Sequence, residues 1–158
     1  MILAIIQARM SSTRLPGKIL MSIDGVPMLY YIISAANSAK LVDKVIVATS
    51  NNFDDNTVAE SFSTMVDIFR GSLNNVLDRY YRASLLYKPE HIVRLTGDCP
   101  MLKGDIIDNT IRYHLMNNND YTRNFDFTIN DTNRKRIGYP SGLDVEVFTM
   151  NTLLRTAK

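Results

Sequence analysis

Cysteine is nearly absent. Cys99 stands alone among the 158 residues, which excludes an internal disulfide framework and suits a reducing, cytoplasmic setting. Zinc chemistry goes with it, because His91 and His114 show no ligand spacing with Cys99; both histidines are expected as surface or packing residues. Excess charge is also lacking. Lys and Arg together number 18 against 16 Asp and Glu, a formal net charge of +2, so no general polyanion-binding surface is implied and nucleic acid is not an expected partner. The apolar opening run, Ile2 to Ile6, is too short for a signal sequence or a membrane span, and no membrane partner is expected. Two familiar phosphate-binding signatures are missing. No Gly-x-Gly-x-x-Gly pattern occurs, and Gly17-Lys18 only resembles the end of a Walker A loop, since Ser12 stands where Gly is required and Ile19 where Ser or Thr is required. Nor is there a Ser-His-Asp or Cys-His constellation, an internal repeat or a low-complexity tail.

What is present begins at once. Ile2 to Ile6 has the length and composition of a strand buried on both faces of a parallel sheet. The loop that leaves it carries three cations, Arg9, Arg14 and Lys18, within ten residues. Ligands of open α/β sheets bind where strands end at their carboxyl edge, so this loop occupies a ligand position. Its composition suits a polyphosphate. Ser11, Ser12 and Thr13 offer hydroxyls and backbone N–H groups, Pro16 stiffens the exit, Gly17 permits close approach, and guanidinium groups pair bidentately with phosphate oxygens. A solvated basic turn is the alternative.

Strand and helix patterns then alternate. Pro27 opens a helical run from Met28 to Ala39, with Gly25 as the preceding breaker. Lys44 to Ala48 is a buried strand closed by Thr49-Ser50-Asn51-Asn52, and Asp54 or Asp55 is expected to cap a helix through Ser63. Val66 to Phe69 is a short strand, Gly71-Ser72 a turn, and Asn75 to Tyr87 a helix. His91 to Leu95 is a further strand, followed by a helix from Gly104 to Met116 whose Ile106, Ile107, Ile111 and Leu115 share one face as core. Tyr121 to Arg123 forms a strand, Phe125 to Arg136 a polar excursion of weak strand character, Leu143 to Phe148 a final strand, and Asn151 opens a terminal helix. The alternation predicts a three-layer α/β domain with a mainly parallel sheet, a length of 158 residues being most simply one domain.

Three carboxylates stand out. Asp98 follows a strand directly and is expected at the same sheet edge as the basic loop. A lone strand-end Asp meets the needs of magnesium, which takes one or two carboxylates with phosphate oxygens and water; an Asx-turn or helix cap is the structural alternative. Asp144 and Glu146 alternate and so share a face, either lining an acceptor-substrate pocket or meeting water at a sheet end. Gly142 before them allows close ligand approach. Lys135 and Arg136 could attract an acidic substrate, though a solvated loop is the more economical account of them.

The opening segment, Leu95-Thr96-Gly97-Asp98-Cys99-Pro100 and Pro140-Ser141-Gly142-Leu143-Asp144-Val145-Glu146-Val147-Phe148 together resemble the cytidylyltransferase family that activates sugar acids, in particular its spore coat polysaccharide biosynthesis protein F branch. N-acylneuraminate and 3-deoxy-manno-octulosonate cytidylyltransferases are more distant relatives. The likeness includes Phe69-Arg70-Gly71-Ser72 and Asn75-Val76-Leu77-Asp78-Arg79-Tyr80. It implies a Rossmann-like nucleotide-diphospho-sugar transferase fold of the glycosyltransferase A type. It also implies transfer of CMP from CTP to a sugar or sugar acid, such as a sialic acid-like sugar, with release of pyrophosphate. By that resemblance Ala8 and Arg9 meet the nucleotide, Arg14 and Lys18 hold the triphosphate, Asp98 binds Mg2+, and the stretch containing Gly71, Ser72, Asp78 and Arg79 borders base and ribose. Ser12 joins the nucleotide contacts, Arg9, Arg14 and Lys18 supply catalytic charge, and Gly142, Asp144 and Glu146 face the acceptor. Asn74 and Asn75 stand where the nearest branch tends to be acidic, so no charge-based role is carried over. Full-length relatives continue further, with a second metal-binding aspartate in a later segment, so the chain is expected to be the N-terminal part of such a protein. A homodimer is compatible with 8 Met and 8 Tyr. Two competing functions remain: a sugar-nucleotide-dependent glycosyltransferase, against which the lack of an Asp-x-Asp motif at Asp98-Cys99-Pro100 speaks, and a non-catalytic nucleotide-binding module.

Overall fold

The computed structural model describes residues 1–130 and 133–157; residues 131 and 132, inside the expected polar excursion, lie outside them. In chain order the elements are β1 (Ile2–Gln7), β2 (Ser22–Ile23), β3 (Val26–Pro27), α1 (Met28–Ser38), β4 (Lys44–Ser50), α2 (Asn56–Phe62), β5 (Asp67–Gly71) and α3 (Val76–Tyr87). They continue with β6 (His91–Thr96), α4 (Gly104–Met116), β7 (Tyr121–Arg123), β8 (Phe125–Asn130), β9 (Asn133–Gly138), β10 (Glu146–Thr149) and α5 (Met150–Thr156).

Six strands form the central sheet in the order β5-β4-β1-β6-β10-β7. The first four are mutually parallel, and β10 runs antiparallel to both β6 and β7. The expected three-layer α/β architecture is therefore present. Strand β1 is apolar on both faces because both are covered. Ala4 and Ile6 pack with Leu29, Ile32 and Ile33 of α1, Val58 and Phe62 of α2, and Ile107 and Ile111 of α4. Leu3 and Ile5 pack on the other side with Tyr80 and Ala83 of α3 and Leu153 of α5. Handedness explains the division of helices. Strands β4 and β5 are added on one side of β1, and β6 on the other; a right-handed crossover then requires the connecting helix to change face.

Several boundaries differ from expectation for identifiable reasons. The β2–β3 ribbon is an extra hairpin, with Asp24 at φ 55 and Gly25 at φ 82 as its two turn residues; Asp-Gly is a known signal for that turn. Strand β4 runs on through Thr49 and Ser50, which pair with Arg70 and Gly71. Gly71 thus ends β5 and is not a turn residue. Helix α4 keeps its expected bounds, and of its expected core face Ile107 and Ile111 are buried and Ile106 packs against the core; Leu115 is exposed instead, with His114 and Asp108 buried. The last strand begins at Glu146, so Asp144 lies on the approach to it. The polar excursion is the β8–β9 hairpin.

The two histidines do pack. His91 Nδ1 lies 3.1 Å from His114 Nε2, and His114 Nδ1 lies 3.1 Å from the Thr122 hydroxyl. Burial lowers both imidazole pKa values. Glu90 opposes that shift at His91 and the N-terminus adds to it, while at His114 the His91 ring adds to it and Asp120 opposes it. A depressed histidine pKa means that the unfolded chain takes up protons first on acidification. The stability these rings supply is therefore complete above about pH 6.5 and is lost as pH falls below it. Thermal melting between about pH 7.5 and about pH 5 is expected to show a falling midpoint, and His114→Gln to flatten that slope.

Candidate active site

Strands β1 and β6 are neighbours in the sheet but far apart in sequence, and the direction of strand addition reverses between them. Such a switch point leaves an open crevice outside the carboxyl ends of the strands. Here the loops after Gln7 and after Thr96 form its walls. The Gly97 N–H donates to the Gln7 carbonyl at 2.8 Å, and the Ala8 N–H to the Ala48 carbonyl at 3.2 Å, so both loops leave the sheet from fixed positions. A side chain at Gly97 would be tight: a Cβ there would meet Ala8 Cβ, the Gln7 carbonyl and Leu29 Cδ1, each at 3.2 Å, and these neighbours would have to give way.

The basic loop is held from below by a carboxylate. Asp55 is 1% exposed, accepts from the Met10 N–H at 2.6 Å and the Ser50 N–H at 3.1 Å, and accepts also from the Ser50 hydroxyl. It stands at the N-cap position of α2, yet its side chain makes no capping bond. The expected cap is thus replaced by an anchor joining loop, β4 and α2. Inside the loop, the Gly17 N–H donates to the Met10 carbonyl at 2.8 Å, with Gly17 at φ 71. That left-handed turn suits glycine and starts the short 3₁₀ turn Lys18–Leu20.

The result is a cleft of about 280 Å³ lined by Gln7, Ala8, Arg9, Ser12, Thr13, Arg14, Lys18, Ile19, Thr96, Gly97 and Asp98. All five expected loop residues and the expected metal ligand share this cavity. Lys18 Nζ donates to Asp98 Oδ2 across it. Burial alone raises the Asp98 pKa, but the Lys18 hydrogen bond and charge, with a bond from Thr96, bring it below the ordinary carboxylate range. Asp98 is therefore ionised at neutral pH. Neighbouring Cys99 is buried, which pushes its thiol pKa up and leaves it unreactive. A larger cavity of about 430 Å³ lies between α4 and the β8–β9 hairpin, but it contains none of the loop cations.

The other expected residues do not line this cleft. Arg79 is fully buried; its Nη1 donates to the Ser72 carbonyl at 2.8 Å, and Nε and Nη2 have no hydrogen-bond partner. Gly71 packs against it, a Cβ there meeting Arg79 Cγ at 3.2 Å. Asp78 is engaged by Arg82 Nε at 2.8 Å. On the far side, Asp144 pairs with Arg136 and Glu146 with Arg94, the latter at 2.7 Å. The Asp144 backbone also hydrogen-bonds Cys99, which ties this segment to the Asp98 loop. Gly142 sits at φ 93 beside open space. Thr13, expected to offer its hydroxyl, does line the cleft, whereas Gln7 and Thr96 in its lining and Asp55 beneath it were not singled out for the site by the pattern of the sequence.

A model of the cytidylyltransferase family matches residues 3–155. The chain belongs to the cytidylyltransferase family. Similar curated proteins include an uncharacterised protein of Methanocaldococcus jannaschii, 36% identical over 158 residues, covering 99% of this chain and 60% of that protein. The spore coat polysaccharide biosynthesis protein SpsF of Bacillus subtilis is 37% identical over 126 residues, covering 77% of this chain and 52% of that one. Among solved structures, a cytidylyltransferase from Leptospira borgpetersenii superposes with a TM-score of 0.83 at 32% identity, over 99% of this chain and 63% of the other. This cytidylyltransferase chain thus spans between half and two thirds of the length of these relatives.

Asp55→Asn tests the anchor. An amide replaces one acceptor oxygen with a donor facing the Met10 or Ser50 donors, and a buried group left unpaired in this way costs about 1–3 kcal/mol. Urea denaturation is expected to show that loss, and hydrogen exchange to quicken at the Met10 amide more than at β1 amides.

Proposed function

We propose that this chain binds CTP in the crevice between β1 and β6 and transfers CMP to a sugar or sugar acid with release of pyrophosphate, in glycan biosynthesis. The observation that carries the reading is the placement of Arg9, Arg14 and Lys18 opposite Asp98 in one cleft at the switch point of the sheet. Family membership supplies the base, cytosine. The acceptor class rests on the resemblance to enzymes that activate sugar acids.

The chemistry needs positioning and charge, not a protein nucleophile. An acceptor hydroxyl oxygen attacks the α-phosphorus in line; the new P–O bond forms as the bond to the bridging oxygen breaks, pyrophosphate departs with that electron pair, and the hydroxyl proton passes to water. Arg14 and Lys18 hold the β- and γ-phosphates, and Arg9 stands near the α-phosphate, so all three neutralise charge that grows on the leaving group. Gly142, Asp144 and Glu146 border the acceptor.

A divalent cation fits the donor set. Among the described residues no cluster of three or more His, Cys, Asp or Glu is placed to cage a metal, and Asp98 supplies one ionised carboxylate at the cleft wall. One carboxylate completed by phosphate oxygens and water is how Mg2+ is usually held. Asp98 would hold it, and when bound it supplies further charge neutralisation for the phosphates.

Arg14→Ala and Lys18→Ala are each expected to weaken CTP binding at least about tenfold by calorimetry, since each removes a charge-assisted phosphate contact. Melting should move little, because the side chains lie at a partly open cleft. Wild-type protein mixed with CTP, Mg2+ and a panel of sugar acids is expected to release pyrophosphate. Unchanged CTP affinity in both variants would count against the reading.

A further inference from the structure

Lys18 and Asp98 are assigned to different ligands, one to phosphate and the other to a cation, yet they satisfy each other. Lys18 Nζ donates to Asp98 Oδ2 across the cleft, with side-chain exposures of only 21% and 35%. Asp98 is further held by Thr96, and Lys18 sits at the start of a 3₁₀ turn fixed by the loop. Neither group is waiting open for its ligand.

We propose that this ion pair is a latch that makes cation and nucleotide binding depend on each other; the nucleotide half of the coupling rests on the reading above. A divalent cation arriving alone meets a carboxylate already neutralised, with an ammonium at its side repelling it. A triphosphate offers Lys18 a denser anion. When Lys18 moves to the β- and γ-phosphates, Asp98 is released facing the same phosphate oxygens, and the two together form the oxygen set that a hard cation takes. The cation then returns the favour, since linkage requires each ligand to raise the affinity of the other by one and the same factor. Lys18 is in this respect a positioning residue: it sets when Asp98 is available. The device also keeps the cleft from filling with cation before the nucleotide arrives, an order that a permanently bare aspartate would not enforce.

The test is metal binding, read by the electron paramagnetic resonance of free Mn2+, which accepts the same hard oxygen ligands as Mg2+. The 158-residue chain is titrated with Mn2+ alone and with a CTP analogue whose α–β bridging oxygen is a methylene. Wild type is expected to bind Mn2+ at least about tenfold more tightly with the analogue than without it. Lys18→Met, which keeps the length of the side chain and removes its charge, is expected to bind Mn2+ alone about fivefold more tightly than wild type and to show little gain from the analogue. Lys18→Arg is expected to restore weak binding of Mn2+ alone, and Asp98→Asn to abolish the site in every background. Equal Mn2+ affinity of Lys18→Met and wild type without nucleotide would overturn the latch. So would a wild-type affinity that the analogue leaves unchanged although it binds. Failure of wild type to bind the analogue would instead overturn the nucleotide reading, while the comparison with Mn2+ alone still decides whether Lys18 withholds Asp98.

Discussion

The hydrogen bond from the Gly97 N–H to the Gln7 carbonyl, 2.8 Å long, ties the first residue after β6 to the last residue of β1, and the site depends on that tie. It brings the first atoms of two distant loops into contact before either turns away. Everything then follows from closeness. Glycine suits position 97 because Ala8, Gln7 and Leu29 would crowd a Cβ there. The basic loop must start beside β6, and its return through Gly17 delivers Lys18 to the carboxylate one residue past that glycine. The crevice stays uncovered because the crossover helices have been sorted to opposite faces by handedness. Topology thus creates the opening, and backbone pairing sets its width.

Holding several cations beside one another has an electrostatic cost that the fold meets locally. Arg79 has no exposed surface. Burial lowers its pKa most, Arg9 adds to that shift, and Tyr80 and Asp55 oppose it. A guanidinium remains charged even so, which makes the nearby carboxylate important. Asp55 thereby has two tasks. It accepts the backbone N–H groups that fix the loop, and it supplies negative charge close to Arg9 and Arg79. Lys18, the third cation of the loop, is balanced separately by Asp98. Removing Asp55 would take away negative charge that offsets Arg9 at the buried Arg79, and removing Asp98 would leave the Lys18 ammonium without its partner.

Much of this was legible in the sequence because it is encoded locally. Strand β1 is a short, wholly apolar run, the cations follow it directly, and Asp98 follows another strand, so position at a sheet edge is set by near neighbours alone. Helix α4 was legible to the residue. What escaped depends on partners from elsewhere in the chain. Asp55 has the sequence context of a helix cap; only the return of β1 beside β4 brings the Met10 and Ser50 donors to it. Helical spacing from Ile107 and Ile111 reaches His114 as well as Leu115, and apolarity favours Leu115. The Thr122 hydroxyl and the His91 ring decide otherwise by giving the imidazole two partners inside. The Asp24-Gly25 hairpin was the exception, a local signal that was present and read merely as a breaker.

The reversal of strand direction at β10 has a consequence for the two substrates of the proposed reaction. Parallel strands bring their carboxyl ends to the crevice, whereas β10, antiparallel to β6, brings its beginning, so Glu146 and the preceding Gly142 and Asp144 reach the same edge from the opposite chain direction. In the proposed reaction the nucleotide side would therefore be built from cations on strand exits, and the acceptor side from carboxylates on a strand entry. Those carboxylates are not bare: Glu146 is paired with Arg94 and Asp144 with Arg136. An anionic sugar acid would thus approach paired charges, not a row of repelling ones. Both pairs are partly buried, so each compensates its carboxylate where water screens charge less than at an open surface.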